Sequence, residues 1–463
     1  MKLYTYLLAI VLLSISVSAE TDPVWEKLFS KAYFGHKGYD VLERLCDEAG
    51  GRMPGTEKSK KALNILKEEL TEIGYDAKFE PYEMPGWFRG KDVVKMVEPT
   101  ERILRAAALG YVDKKQAFTA EILDAGKGKK ENFSTFNFNG KIALVEASKS
   151  SRSKVIDIAA EHGAEAVLFT NRKEGGKLLC GVANFYGDPA AIPAYSITFE
   201  EGSWLKRLLK RNVPVRMMID TRSYVTEDPI TVNNVVASLP GKKDKRVVIG
   251  AHVDSWDLGN GGVDNGQGTA VIFEIAKIMK EIMPENELGI DFVWFNAEEL
   301  GLWGSRAYAN SHKGDSIVAM INMDMTGSPK GFNTFGYDHF KPLLEELTST
   351  LDGFGWEKGI VSNPWTNSDH IFFMLNGTPT INIWGHLDKP QYNYYHDFGD
   401  TFDKQNKRYI ADAAAVISIL TYELANNPDI PQKIMTEKET MEFMRKHELE
   451  EQLKRQGWWN FDN

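Results

Sequence analysis

Five side chains of metal-binding type follow one another along this chain: His252, Asp264, Glu299, Asp324 and His396. Two imidazoles and three carboxylates suit a pair of borderline divalent cations such as zinc. Glu298, immediately before Glu299, adds a carboxylate that is free to act as a base. Together these types point to hydrolysis, with a general base activating a water near metal. The candidates follow short apolar runs, so they are expected at strand ends along one edge of one sheet.

Ile249-Gly250-Ala251-His252-Val253-Asp254 ends such a run in a histidine with an acid two residues on. With one His252 nitrogen on metal, the Asp254 carboxylate is expected to accept a hydrogen bond from the other and fix the tautomer. A buried histidine that is merely hydrogen-bonded is the plain alternative. Asp264 lies in the glycine-rich stretch Gly259–Gly268 and is expected to bridge two ions. Backbone strain, such as a non-proline cis peptide, is expected at Asp264–Asn265. The alternative is a loop whose aspartate caps the next helix.

Ala297-Glu298-Glu299-Leu300-Gly301 places two adjacent acids after an apolar strand, a costly arrangement unless both are employed. Neighbouring side chains diverge, so Glu299 reads as the ligand. Glu298 reads as the base that takes a proton from water and hands it to the leaving amine. Asp324 follows Ile321-Asn322-Met323 in apolar surroundings, where a nearby cation removes the cost of its charge. His396 completes the second ion, and Tyr395 beside it is placed to hydrogen-bond a developing oxyanion. Of the remaining histidines, only His370 is kept as a rim candidate, after Ser368-Asp369; Asp369 is a candidate partner for a substrate amine.

The elements that must position these residues are legible around them. Val235–Leu239, Val247–Ala251, Ile290–Asn296 and Ile317–Asn322 are apolar runs of strand length, separated by helical patterns at Gly268–Ile282 and Ser305–His312. That alternation predicts an α/β fold with a mixed, mostly parallel central sheet flanked by helices. Helices are also expected over 39–48, 57–73 and Asn406–Ala425, with an extended stretch over 76–82. From 103 to 225 the texture changes to short strands (Lys141–Glu146, Ala166–Thr170, Val213–Ile219) with a helix near 154–162, and no ligand cluster falls there. The resulting division is a leader (1–19), a catalytic domain in two parts (20–102 and 226–430), an inserted β-rich domain (103–225) and a charged helical tail (431–463). The tail reads as docked or solvated with equal ease.

Lys2, the apolar run Leu7–Leu13 and Val17-Ser18-Ala19 read as a cleavable secretory signal, too short to span a membrane as a helix of roughly 20 residues would. Secretion, lysosomal delivery and a periplasmic address share that signal. The net charge of −10 argues against nucleic acid and anionic membrane surfaces as partners. Two cysteines, Cys46 and Cys180, exclude a thiolate metal site and leave one disulfide or two buried thiols open. Asn132-Phe133-Ser134 and Asn376-Gly377-Thr378 are glycan acceptor patterns, the second disfavoured by Pro379.

The combination of these motifs resembles the co-catalytic zinc exopeptidase family that includes leucyl aminopeptidases and glutamate carboxypeptidases. Ala251–Asp257 with Gly262–Gly266 is most similar to its glutamate carboxypeptidase branch, whereas Ser368–Gly385 is more like its aminopeptidases. Arg52-Met53-Pro54-Gly55-Thr56 resembles the family's N-terminal signature, and Gly140-Lys141-Ile142 with Gly163–Ala166 its inserted protease-associated domain. The resemblance implies two zinc ions: His252 and Asp324 on one, Glu299 and His396 on the other, and Asp264 between them. It implies hydrolysis of a terminal amide in small peptides, with a homodimer as a further implication. Two rivals share the fold: a glutaminyl cyclase-like enzyme using one zinc, and a catalytically silent receptor-like binding protein.

Overall fold

The computed structural model describes residues 22–146, 151–314 and 316–461, so the expected leader lies outside the described residues. Eight strands build the main sheet: β1 (Lys78–Met84), β2 (Ile230–Leu239), β3 (Gly241–His252), β4 (Asn286–Phe295), β5 (Ile317–Asn322), β6 (Ser328–Asn333), β7 (Gly359–Val361) and β8 (Thr380–His386). Their order is β1-β2-β4-β3-β5-β8-β6-β7. The four central strands, β4-β3-β5-β8, run parallel, and antiparallel partners flank them on both sides.

A strand buried on both faces needs side chains that avoid water on both. That explains why β5 reads Ile-Val-Ala-Met-Ile-Asn with every residue buried, and why the second half of β3 is likewise buried. Helices Pro23–Phe34, Gly266–Ile282 and Lys407–Asn426 pack on one another and on the sheet. Helices Trp303–Ser311 and His370–Leu375 form a second such group. Helix Gly266–Ile282 starts where the Asn265 side chain caps Gly268 N–H.

A second eight-stranded sheet spans residues 93–221 and has a hydrophobic core of its own. It recruits Val93–Glu98, upstream of the stretch whose texture changes at 103. Trp256, Ala297 and Leu300 of the main domain's loops lie in that second core. Tyr111 Oη donates to the Leu300 carbonyl at 2.7 Å across the junction.

The C-terminal tail is docked. Trp458 is buried between Phe185 of the second unit, 5.7 Å away, and Phe372 of the main one, 5.1 Å away. Gln452 Nε2 donates to Thr366 Oγ1 at 2.6 Å and Gln456 Nε2 to Asn367 Oδ1 at 2.9 Å. Cys46 and Cys180 are both free and buried, and burial pushes each thiol up to about 12. Asn376 is half-buried, with its amide nitrogen donating to the Ala309 carbonyl at 2.8 Å. No helix of the described residues is long and apolar enough to cross a membrane.

Candidate metal centre

The carboxyl ends of β3, β4 and β5 lie side by side, and three of the candidates leave from them. His252 is the last residue of β3, Glu298 and Glu299 follow β4 closely, and Asp324 follows β5. Asp264 arrives on the loop after β3. His396 departs from the strand-end expectation: nine residues separate it from β8, and the short helix Lys389–Asn393 intervenes.

The five side chains nonetheless converge. His252 Nε2 lies 3.2 Å from Asp264 Oδ1 and 3.8 Å from Asp324 Oδ1. His396 Nε2 lies 2.9 Å from Asp264 Oδ2 and 3.1 Å from Glu299 Oε2. Two groups result, His252-Asp264-Asp324 and Asp264-Glu299-His396, each with its ligand atoms within 4.8 Å of one another. Asp264 belongs to both, with one oxygen turned to each histidine.

The centre is held by main-chain contacts that no spacing announces. Arg52, fully buried, donates to the carbonyls of Val253 (2.7 Å), Asn260 (2.6 Å), Gly261 (2.9 Å) and Gly50 (3.3 Å), pinning the loop between His252 and Asp264. Asp400 accepts the N–H of Val263 at 2.6 Å and of Asp264 at 3.0 Å. Glycines are required there: a Cβ on Gly259 would stand 2.5 Å from the Asp400 carbonyl oxygen. Asn265 Nδ2 donates to the Met323 carbonyl at 2.8 Å and its Oδ1 accepts from Met325 N–H, tying this loop to the Asp324 turn. Ser368 Oγ donates to Asp324 Oδ2 at 2.8 Å.

Asp254 acts differently from the expectation. Its carboxylate accepts the N–H of Glu298 at 3.1 Å and of Glu299 at 3.2 Å, so it aims the turn after β4. His252 Nδ1 donates instead to the backbone carbonyl of Asp254 at 3.1 Å, and the carboxylate stands 3.6 Å away. His396 Nδ1 donates to the Cys180 carbonyl at 3.0 Å, while Cys180 N–H donates to the His396 carbonyl at 3.2 Å. A carbonyl can only accept, so both imidazoles carry their proton on Nδ1 and turn Nε2 inward.

Strain gathers at the same place. Ala297 (φ 65°), Met325 (φ 46°) and His396 (φ 55°) adopt left-handed backbone that costs a non-glycine residue roughly 1 kcal/mol or more. Each is a candidate site residue or its immediate neighbour. The Asp264–Asn265 peptide is cis.

Charge tests the fit of a cation. Burial disfavours a proton on His396, yet the carboxylates of Glu299 and Asp264 outweigh it and raise the imidazole to about 10. Burial raises Glu299 to about 7, with Asp264 adding to the rise. Burial also lifts Glu298 well above the usual carboxylate range, helped by Glu299 and Asp324 against the pull of His252. Glu299 Oε1 is buried without a hydrogen-bond partner. Crowded acids, protons held by imidazoles and an orphaned carboxylate oxygen are what a site built for divalent cations displays when only its side chains are counted. The donor set fits zinc.

Of the secondary candidates, Tyr395 stacks on His396 with ring centroids 3.7 Å apart, and burial keeps its phenol protonated far above 10. Asp369 is fully buried, both its oxygens lack a hydrogen-bond partner, and burial raises it to about 7. His370 stands apart from both groups: it stacks on Phe335 at 4.1 Å and donates from Nε2 to the Trp365 carbonyl, a packing role. Arg52 and Asp400 stand within recognised motifs and Ser368 in a recognised loop, but nothing in the sequence signalled the contacts each of them makes.

The chain is similar to known proteins over most of its length. Residues 234–421 match Peptidase family M28 and residues 106–205 match the PA domain. Carboxypeptidase Q of Bos taurus is 26% identical over 417 residues, covering 84% of this chain and 86% of its own. Aminopeptidase YwaD of Bacillus subtilis (strain 168) is 26% identical over 418 residues, covering 86% of each. The crystal structure of a peptidase M28 precursor from Shewanella amazonensis superposes with a TM-score of 0.78 at 26% identity, over 89% of this chain and 98% of that one. The chain carries a peptidase family M28 domain, with a PA domain ahead of the residues that match it.

Proposed function

We propose that this protein is a secreted, zinc-dependent exopeptidase that hydrolyses terminal amide bonds of small peptides. The observation that carries the reading is the placement of Asp264, with one oxygen beside His252 and the other beside His396. A single-ion cyclase has no use for a second complete donor group, and a decayed receptor-like site has no need to keep either.

His252, Asp264 and Asp324 would hold one cation, and Asp264, Glu299 and His396 the other. Bound cations would supply Lewis acidity toward the scissile carbonyl and toward water. The chain's own residues do the rest. Glu298 takes a proton from the attacking water and delivers it to the leaving amine. Asp254 fixes the turn that carries Glu298 and Glu299 through their N–H groups. Tyr395 keeps its proton and donates it as a hydrogen bond to the oxyanion as that develops. The inserted domain walls the site by gripping His396 through Cys180, which favours small peptides over protein surfaces.

Metal analysis and a dipeptide panel test this. The mature protein is expected to retain two zinc ions per chain, lose activity to a chelator, and release amino acids from unblocked dipeptides. No bound zinc and indifference to chelator would favour a binding protein. Pyroglutamate without chain cleavage would favour a cyclase.

A further inference from the structure

The two candidate metal histidines are aimed from different places. His252 Nδ1 donates to the Asp254 carbonyl two residues on, and Arg52 of the main domain pins the loop that follows. His396 Nδ1 donates instead to Cys180, whose side chain lies in the core of the inserted domain. The His396 backbone is also held left-handed, at φ 55°. A residue keeps such a conformation only where its surroundings over-determine it. One source of that determination stands a single residue further along.

Asp397 is 3% exposed, so its carboxylate has lost nearly all of its water. Burying such a group is costly unless its oxygens are employed. Both are employed on main-chain N–H groups: Oδ2 accepts from Leu178 at 2.5 Å and Oδ1 from Gly399 at 3.2 Å. Leu178 belongs to the core of the inserted domain, like Cys180. Cys180 N–H donates to the His396 carbonyl at 3.2 Å, and His396 Nδ1 returns a bond to the Cys180 carbonyl. Residues 178–180 and 396–397 are therefore joined at three points. Only the Asp397 bond has a carboxylate as acceptor, the stronger kind.

Asp397 also links two turns. Its N–H donates to the Tyr394 carbonyl at 3.0 Å, and its own carbonyl accepts from Asp400 N–H at 3.1 Å. Those main-chain bonds do not need the side chain; the bond to the inserted domain does. Other contacts across this junction are lighter. Lys173 Nζ donates to the Tyr392 carbonyl in an exposed setting, and Lys177 Nζ stands 5.0 Å from the centre of the Tyr394 ring.

We propose that Asp397 is a positioning residue for the second metal site. By holding Leu178 it keeps the inserted domain in register with His396, and so sets His396 Nε2 against Asp264 and Glu299. The two donor groups then depend on different parts of the chain. His252, Asp264 and Asp324 are aimed by main-domain contacts, whereas the group completed by His396 needs the inserted domain as well. The inference rests on the two-ion reading above and adds how one of the ions is retained.

The test is zinc titration by chelator competition on wild type, Asp397→Ala and Asp397→Asn, read as successive binding steps. Wild type is expected to take two ions. Asp397→Ala should weaken one step about 10- to 100-fold, the usual cost of losing a group that orients a ligand, and leave the other unchanged. Asp397→Asn keeps one acceptor oxygen for Leu178 and should fall between; it fills the same space and serves alone should the alanine variant fail to fold. Hydrogen exchange at the two imidazole Nδ1 positions gives a readout that needs no metal. In Asp397→Ala the His396 proton should exchange faster while the His252 proton holds. A general packing role would move both steps, or both protons, together. Equal weakening of the two steps, wild-type affinity at both in the variants, or a wild type that takes a single ion would overturn the proposal. If one step alone moves and no form cleaves any peptide, the positioning role stands and the exopeptidase reading falls.

Discussion

Asp400 accepts the N–H of Asp264 at 3.0 Å across 136 positions of sequence. The residue common to both donor groups is thus aimed by another buried acid. Asp400→Ala frees the loop and is expected to weaken zinc binding about 10- to 100-fold, a typical cost of losing an outer-shell partner. Chelator competition on purified protein measures it; unchanged affinity would show that the loop holds its shape without Asp400.

Glu298→Gln should leave both donor groups intact, because Glu298 belongs to neither. Turnover is expected to fall by about 10²- to 10⁴-fold, the usual contribution of a general base. Zinc content and dipeptide hydrolysis, measured on one preparation, decide the matter. A nearly full rate would remove Glu298 from its role.

Arg52→Lys keeps the charge and loses the fork. Four carbonyls now share the Arg52 guanidinium, and an ammonium on a different stem cannot reach all of them. Buried carbonyls left without a donor cost about 1–3 kcal/mol each, so a drop of about 3 kcal/mol in stability is expected, with lower zinc retention. Denaturant unfolding of the zinc-loaded forms checks it.

Glu69 gives a pH dependence remote from the centre. Its buried carboxylate pairs with Lys37 and with Arg44. Burial alone would raise it, but these two cations bring it below its ordinary 4.5. A depressed folded-state value means that the stabilisation is present above 4.5 and is lost as pH falls through the lower folded value. Glu69→Gln should cost on the order of 1 kcal/mol at pH 6, since both cations are partly solvated. The gap to wild type should narrow in melts below pH 4.5; a gap that stays constant down to pH 3 would contradict this.

Trp458→Ala removes a buried ring that bridges the two units. A loss of about 3 kcal/mol or more is expected in thermal or chemical unfolding. Protease nicking near residues 430–436 should become faster.

Much of this was readable in the residues themselves, for definite reasons. The stretches of β3, β4 and β5 that are buried on both faces must be largely apolar, so they stand out as runs, and the histidine and acids that follow stand out against the runs. β6 reads Ser-Pro-Lys-Gly-Phe-Asn and breaks register between Pro329 and Gly331, so no periodicity marks it. Asp254 stands beside His252 in sequence but spends its carboxylate on the turn after β4, a choice set by tertiary packing. The services of Arg52, Asp400 and Cys180 go to or come from main-chain atoms far along the chain. Such contacts leave no pattern in side-chain type.

The docked tail has a consequence for biosynthesis. Thr366 and Asn367, the two residues just ahead of the serine that steadies Asp324, take their partners from Gln452 and Gln456. Those glutamines follow every candidate ligand in the chain, the last of which is His396. A nascent chain therefore carries an unfinished centre until Gln456 has been made, and a stop codon between residues 436 and 452 should yield protein that folds yet handles zinc poorly.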